Sequence, residues 1–201
     1  MILLCGRIAL LKIAAVRTER SIKMGDLKGT KTYENLMEAF AGESQARNKY
    51  TFYASCAQKE GYHQIFNIFT ETAANEKEHA ELWFKLFQGV GTTAENLAAA
   101  AAGEHFEWTE MYKRMAEEAR AEGFEDIALQ FENVGSIEKS HEERYLKLKS
   151  NIESGLVFER PEPVVWKCGN CGFKYTGKKA VDTCPACKHP QAYFEIDVEA
   201  Y

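Results

Sequence analysis

The feature that most constrains this chain is a Glu-x-x-His motif that occurs twice, as EKEH at 76–79 and EKSH at 138–141. Around each copy, apolar residues recur every three or four positions, as on one face of an α-helix. Residues three apart share that face and lie about 4.5 Å apart along the helix axis, so both motifs are expected to point into an apolar interior. An ionised carboxylate buried there without a partner costs several kcal/mol. The motifs therefore predict bound divalent cations.

Four long segments carry apolar residues at helical spacing, and glycines mark most of their ends. They span about residues 32–61, 63–87, 93–123 and 127–155. Thr32 is the predicted N-cap of the first segment. Because the connections between the segments are short, neighbouring helices are expected to run antiparallel. The sequence predicts a mainly α fold built on an antiparallel four-helix bundle.

The two halves of the helical region repeat one pattern, which adds a glutamate to each motif. AGE occurs at 41–43 and at 102–104; Glu43 precedes Glu76 by 33 residues, and Glu104 precedes Glu138 by 34. This repeat predicts two helix hairpins related by a pseudo-twofold axis. The pattern matches that of bundles with two carboxylate-bound metals, and its oxygen-rich ligands suit iron or manganese. The predicted ligands are Glu43, Glu76, His79, Glu104, Glu138 and His141. Spacing alone leaves Glu107 open, as a ligand or as a surface residue.

Four cysteines form a second candidate metal site, in the pairs Cys168-x-x-Cys171 and Cys184-x-x-Cys187. Four thiolates from two tight turns bind zinc or iron tetrahedrally, and the spacing does not choose between a structural zinc and a redox iron. A module of about 38 residues needs such a metal to fold. Paired C-x-x-C motifs also indicate a reducing compartment, so we expect a cytoplasmic protein.

The remaining sequence sets the predicted domain boundaries. Residues 1–23 are apolar but contain Arg7 and Lys12, so they are too charged to span a bilayer. They could form a helix on a membrane surface. We expect instead that they are an extension outside the fold and that Met24 is the natural start. The bundle is predicted at 24–153, a proline-containing linker at 154–164 and the cysteine module at 165–201. The net charge of −5 and pI near 5.7 do not indicate nucleic-acid binding.

Five stretches of the sequence together resemble the rubrerythrin family. They are AFAGESQARNKY (39–50), NEKEHA (75–80), TTAENLAAAAAGEHFEWTEMY (92–112), EKSHEERY (138–145) and WKCGNCGF with DTCPAC (166–187). The resemblance covers the chain from about Met24 onwards. It implies a ferritin-like di-iron four-helix bundle followed by a small, β-rich, rubredoxin-like module that holds one iron by four cysteines.

The resemblance also implies roles for individual residues. Glu76 and Glu138 would bridge the two irons. One iron would take Glu43 and Glu107, with His79 replacing Glu107 on reduction, and the other would take Glu104 and His141. The cysteine-bound iron would use Cys168, Cys171, Cys184 and Cys187. The residues implied in catalysis are Glu107, His79, Tyr50 and Tyr112.

The activity implied by the resemblance is the reduction of hydrogen peroxide in oxidative stress defence. Electrons from a reductase or a separate rubredoxin would pass through the cysteine-bound iron, and the chain would form a head-to-tail homodimer. Two other functions are kept as alternatives. One is ferritin-like iron oxidation and storage, and the other is a zinc-stapled binding module on an inert bundle.

Overall fold

The computed structural model describes residues 27–198, so the predicted extension at 1–23 and the start at Met24 lie outside the described residues. The chain is mainly helical up to Glu153 and ends in a small sheet. It divides after Val90 into two compact units, which are described separately. None of the helices within the described range is long and apolar enough to cross a membrane.

The first unit is a hairpin of two long helices, α1 (Lys31–Lys59) and α2 (His63–Phe87). The hydroxyl of Thr30 caps α1 by accepting the Tyr33 backbone N–H at 3.2 Å, so the predicted N-cap Thr32 is wrong by two residues. Gly61, at φ +83°, makes the turn between the helices, in a conformation that glycine adopts without strain.

Three aromatic rings pack together near the end of α2 in this first unit. The centroid of Phe40 lies 5.3 Å from that of Phe84 and 5.5 Å from that of Phe87. These contacts join α1 to α2 beyond the predicted ligands.

The second unit begins with a helix that is interrupted by a π-helical segment and then pairs with a long partner. Its elements are α3 (Thr93–Phe106), the π segment (Glu107–Met111), α4 (Tyr112–Ala121) and α5 (Glu125–Glu153). A capping box starts α3, in which Thr92 and Glu95 each accept the other's backbone N–H. Small buried side chains, Ala116, Ala119 and Ala128, let α4 and α5 approach closely.

A three-stranded antiparallel sheet completes the second unit. Its strands are β1 (Glu159–Cys168), β2 (Lys174–Lys179) and β3 (Phe194–Ile196), in the order β2-β1-β3. The β1–β2 register is irregular between Glu159 and Val164, where Pro161 and Pro163 lack the N–H that a ladder needs. Trp166 is fully buried in the module core, and its indole N–H donates to the Gly177 carbonyl at 2.9 Å.

Candidate metal centres

The first predicted ligand triad lies within the α1–α2 hairpin. Glu43 projects from the middle of α1, and Glu76 and His79 project from one face of α2. His79 Nδ1 lies 2.8 Å from a Glu76 carboxylate oxygen and 3.9 Å from one of Glu43. One donor atom from each residue falls within 4.8 Å of the other two, a spacing that can hold a metal ion.

The second triad repeats this geometry in the other unit. Glu104 comes from the last turn of α3, and Glu138 and His141 come from α5. His141 Nδ1 lies 2.7 Å from a Glu138 oxygen and 3.7 Å from one of Glu104. These distances match those of the first triad within 0.2 Å. The repeat seen in the sequence thus appears as two equivalent sets of donors.

The charge of the triads is not neutralised by basic side chains. Across residues 27–198, the glutamates of both triads have only His79 and His141 as ion-pair partners. Burial and then the neighbouring Glu138 raise the pKa of Glu104 above its ordinary value, and His141 opposes that shift. Partly buried carboxylates held together without lysine or arginine fit a cation, which would relieve both their repulsion and their desolvation.

Glu107 and Tyr112 lie beside the second triad. Glu107 is the first residue of the π segment and is half-buried; it is not among the donors that meet within 4.8 Å. Tyr112 follows that segment. Burial and then the charge of Glu107 raise the pKa of Tyr112, with smaller contributions from Glu138 and Glu104. The Tyr112 phenol therefore stays protonated across neutral pH, facing this group of carboxylates.

Tyr50 lies in the first unit, two turns of α1 beyond Glu43. Its ring stacks on Phe69 of α2, with centroids 6.1 Å apart, and the side chain is half-buried. The structure thus places Tyr50 on the same helix as Glu43. No hydrogen bond to a predicted ligand is found for it within the described residues.

The four predicted cysteines converge on one point. The sulfurs of Cys168 and Cys187 are 3.7 Å apart, as are those of Cys171 and Cys184, and all four lie within 4.8 Å of one another. Four sulfurs bound at about 2.3 Å to one tetrahedral ion would be about 3.8 Å apart. The cluster therefore has the dimensions of a tetrahedral four-thiolate metal site.

Backbone N–H groups favour the thiolate form within this cluster. The N–H of His189 lowers the pKa of Cys187 to about 6. The N–H of Phe173 acts the same way on Cys171, but the neighbouring sulfurs and burial together raise the pKa of Cys171 to about 12. One thiol ionises readily and its charge keeps the next protonated, so a bound cation is needed to make all four thiolates.

Two structural features beside the second triad are absent from the sequence prediction. One is the π segment itself, because a helix with one extra residue per turn leaves no mark on apolar spacing. The other is a hydrogen-bonded group on Glu142, which accepts the Trp108 indole N–H at 2.6 Å and lies 3.0 Å from His105 Nδ1. Trp108 and then His105 lower the pKa of Glu142, against the effect of burial.

Comparison with known sequences follows the same division into helices and module. The sequence profile of the Rubrerythrin family matches residues 34–149, and that of the rubrerythrin rubredoxin-like domain matches residues 166–195. The chain belongs to the rubrerythrin family. The membership accounts for both kinds of metal site in one chain.

Individual relatives agree over nearly the whole length. The chain is 53% identical to the rubrerythrin of Porphyromonas gingivalis over 182 residues, which is 84% of this chain and 91% of that protein. It is 52% identical to rubrerythrin-1 of Clostridium acetobutylicum over 195 residues, 89% of this chain and 100% of the relative. It is 45% identical to the rubrerythrin of Nitratidesulfovibrio vulgaris over 186 residues, which is 86% of this chain and 97% of that protein.

The family and the structure together confirm two predictions. The fold class is mainly α, a ferritin-like helical region followed by a small metal-stapled rubredoxin-like module. The donor groups fit a di-iron centre, through the carboxylate–histidine triads, and a rubredoxin-type iron, through the four cysteines. At the cysteines, membership of the family favours iron over zinc.

Proposed function

We propose that this chain is a non-haem di-iron peroxidase, which reduces hydrogen peroxide to water in oxidative stress defence. The observation that carries the proposal is the presence, in one chain, of carboxylate–histidine triads and a four-cysteine site. Hydrogen peroxide takes up two electrons and two protons as its O–O bond breaks and two waters form. A thiolate-bound iron passes electrons singly, so its attachment to the helical region supports repeated reduction of that region.

In this proposal each triad holds one iron. One iron would take Glu43, with Glu107 and His79 alternating as its further ligand, and the other would take Glu104 and His141. Glu76 and Glu138 would be shared by both irons. An iron pair held by these residues would supply the two electrons that peroxide reduction needs. Carboxylates suit this work because they bind through one or two oxygens and can change between the two modes.

Tyr112 has the protonation state that the reaction needs. Because its pKa is raised, the phenol keeps its proton at Oη at neutral pH and can donate a hydrogen bond towards the carboxylate group. We propose the same role for Tyr50 in the first unit. Both tyrosines would orient ligands or peroxide by donating this hydrogen bond.

Electrons enter, in this proposal, through Cys168, Cys171, Cys184 and Cys187. Cys171 is exposed whereas Cys168 and Cys184 are buried, so the cluster has one edge at the surface where a donor can approach. The donor would be a reductase or a separate rubredoxin. We propose a cytoplasmic head-to-tail homodimer, in which the reducing compartment keeps the thiols available for iron.

The electron relay is tested by separating turnover from a single reduction. Cys171→Ser should abolish steady-state peroxide consumption driven by NADH and a reductase. The same variant, reduced chemically beforehand, should still carry out one round of peroxide reduction. Cys56→Ser is the matched control, because Cys56 lies on α1 and belongs to neither metal site. Unchanged steady-state turnover in Cys171→Ser would show that electrons do not pass through the cysteines.

The storage alternative is separated by assembly size and iron content. A dimer that holds a few irons per chain is expected for the peroxidase. A large hollow shell that accumulates mineral when given ferrous iron and oxygen would replace the proposal with iron storage. Light scattering and metal analysis of the anaerobically purified protein distinguish the two outcomes.

A further inference from the structure

The two ligand triads have equal geometry but unequal neighbours. The two halves of the repeat can be aligned by matching Glu43 with Glu104 and the first Glu-x-x-His motif with the second. Three residues that follow predicted ligands in the second half can then be compared with their equivalents in the first half. The paired positions are Ser44 with His105, Arg47 with Trp108, and Ala80 with Glu142. The first half has donors in Ser44 and Arg47, but alanine stands where the second half has the Glu142 carboxylate, so the acceptor that joins the donors is missing. This difference is specific to the half that also carries Glu107.

In the second unit these three side chains form one hydrogen-bonded group. Trp108 Nε1 donates to Glu142 Oε2 at 2.6 Å, and His105 Nδ1 lies 3.0 Å from Oε1 and 3.2 Å from Oε2. The Glu142 side chain is only 17% exposed. Lys139, one turn before Glu142 on α5, lies 5.5 Å from the centroid of the Trp108 ring. We call His105, Trp108 and Glu142 the Glu142 clamp.

The clamp spans the point at which the helix changes from α to π. His105 lies in the last turn of α3 and Trp108 lies in the π segment, so Glu142 of α5 holds the backbone on both sides of the change. A π turn has poorer hydrogen-bond geometry than an α turn and persists where its surroundings hold it. His105 directly follows Glu104, Trp108 directly follows Glu107, and Glu142 directly follows His141. A shift of any clamp residue would therefore move a neighbouring ligand.

We propose that Glu142 is a positioning residue, which fixes the π segment through Trp108 and His105 and so holds Glu104 and His141 in place for one of the two metals. The inference rests on the di-iron assignment within the proposed function, but not on peroxide as the substrate. It makes the two metal positions unequal. With ferrous iron the position in the second unit depends on the clamp. The position in the first unit does not, because His79 replaces Glu107 as its ligand on reduction in the proposed function.

Anaerobic titration of the metal-free, full-length protein with Fe²⁺, followed by calorimetry, tests the inference. Loss of a residue that orients metal ligands weakens metal binding by about 10- to 100-fold. Glu142→Ala should weaken one of the two helical-region sites by about that factor and leave the other unchanged. Glu142→Gln keeps an acceptor for the indole N–H and should recover part of the loss. Glu143→Gln, at the exposed neighbouring position, is the control and should bind both metals as the parent does.

Trp108→Phe keeps an aromatic side chain and removes the indole N–H, so it tests the clamp even if Glu142→Ala does not fold. It should weaken the same site. The inference would be overturned if both sites of Trp108→Phe and Glu142→Gln bound Fe²⁺ with the affinity of the parent protein. It would also be overturned if both sites were weakened by the same factor. If the parent binds two metals in this way but does not reduce peroxide, the proposed function fails while the clamp stands.

Discussion

Each of the two C-x-x-C turns, here called the cysteine knuckles, is followed by a residue with a left-handed backbone conformation. This pair of residues permits a quantitative test of the stability of the module. Gly172 follows Cys171 at φ +77°, and Lys188 follows Cys187 at φ +64°. Their N–H groups close the knuckles by donating to the Cys168 carbonyl at 2.8 Å and the Cys184 carbonyl at 3.0 Å. A residue with a Cβ loses about 1–2 kcal/mol in this conformation, whereas glycine does not. One knuckle therefore carries strain that the other avoids.

Placing alanine at Gly172 and glycine at Lys188 should change the free energy of unfolding in opposite directions. A Cβ at Gly172 meets no atom within 4 Å, so Gly172→Ala introduces backbone strain without a clash. The unfolded chain loses freedom when glycine is replaced, which offsets about 0.4–1 kcal/mol of that strain. The net expectation is a loss of about 1 kcal/mol for Gly172→Ala and a gain of about 1 kcal/mol for Lys188→Gly. Each corresponds to roughly a fivefold change in the folded-to-unfolded ratio.

The assay is denaturant unfolding of the iron-loaded, full-length protein, followed by the visible absorption of the thiolate-bound iron. Lys188→Ala is the control, because it removes the charge and keeps the strained backbone, and it should match the parent. The reasoning is refuted if Gly172→Ala is as stable as the parent and Lys188→Gly gains nothing over Lys188→Ala.

Three further predictions concern single residues. Thr92→Ala removes the N-cap of α3 and should lower the free energy of unfolding by about 1 kcal/mol in urea, whereas Thr93→Ala should not. Trp166→Phe removes the hydrogen bond to Gly177 and leaves a void, and should cost the module about 1–3 kcal/mol in the iron-absorption assay; no loss would mean that the bond contributes nothing. In the metal-free protein the pKa of Glu104 is raised, so the contribution of this side chain to stability is present at acid pH and is lost as the pH rises through that pKa. Glu104→Gln should therefore raise the thermal midpoint only at pH values above the pKa of Glu104. A pH-independent effect would contradict this last prediction.

Apolar spacing and glycine positions were sufficient to predict the helices. The second helix spans His63–Phe87, as the spacing predicts, because Gly61 and the glycines after Phe87 end the repeat unambiguously. The start of α1 could not be fixed in the same way. Thr30 and Thr32 both carry a hydroxyl suited to capping, and only the backbone conformation, which lets Thr30 accept the Tyr33 N–H, selects between them.

The candidate site was predictable where its residues lie on an apolar stripe. Glu-x-x-His and its paired glutamate could be identified because polar residues inside such a stripe need an explanation. Glu107 was left open on spacing because the π segment changes the direction of side chains after Phe106 without altering the composition. Spacing does not identify Glu142 or Trp108, since a tryptophan or glutamate on a helix is common and its partners are not visible in the sequence. The signal that could have found them is the difference between the two halves of the repeat.

The module differs from the helical units in what forms its core. Trp166, Cys168, Ala180, Cys184 and Phe194 are its buried residues, and two of these five are predicted iron ligands. The metal site therefore lies within the core of the module, and partly buried hydrophobic residues pack around it. The buried hydrophobic residues of α1 to α5 are alanines and Phe87, and the predicted ligands are not among them, so packing between these helices depends less on a metal.

Removal of iron should consequently unfold the module and spare the helices. With the metal gone, the sulfurs 3.7 Å apart lose the ion that holds them. The other buried side chains number three, and with the partly buried residues around them they form too small a core in about 38 residues to compensate. We expect chelation under reducing conditions to shift the fluorescence of Trp166 towards that of solvent-exposed indole while most of the helical circular dichroism remains. Trp83→Phe/Trp108→Phe leaves Trp166 as the sole reporter, and restoring ferrous iron should reverse the shift. A metal-free protein whose Trp166 stays buried would show that the sheet, not the iron, holds the module together.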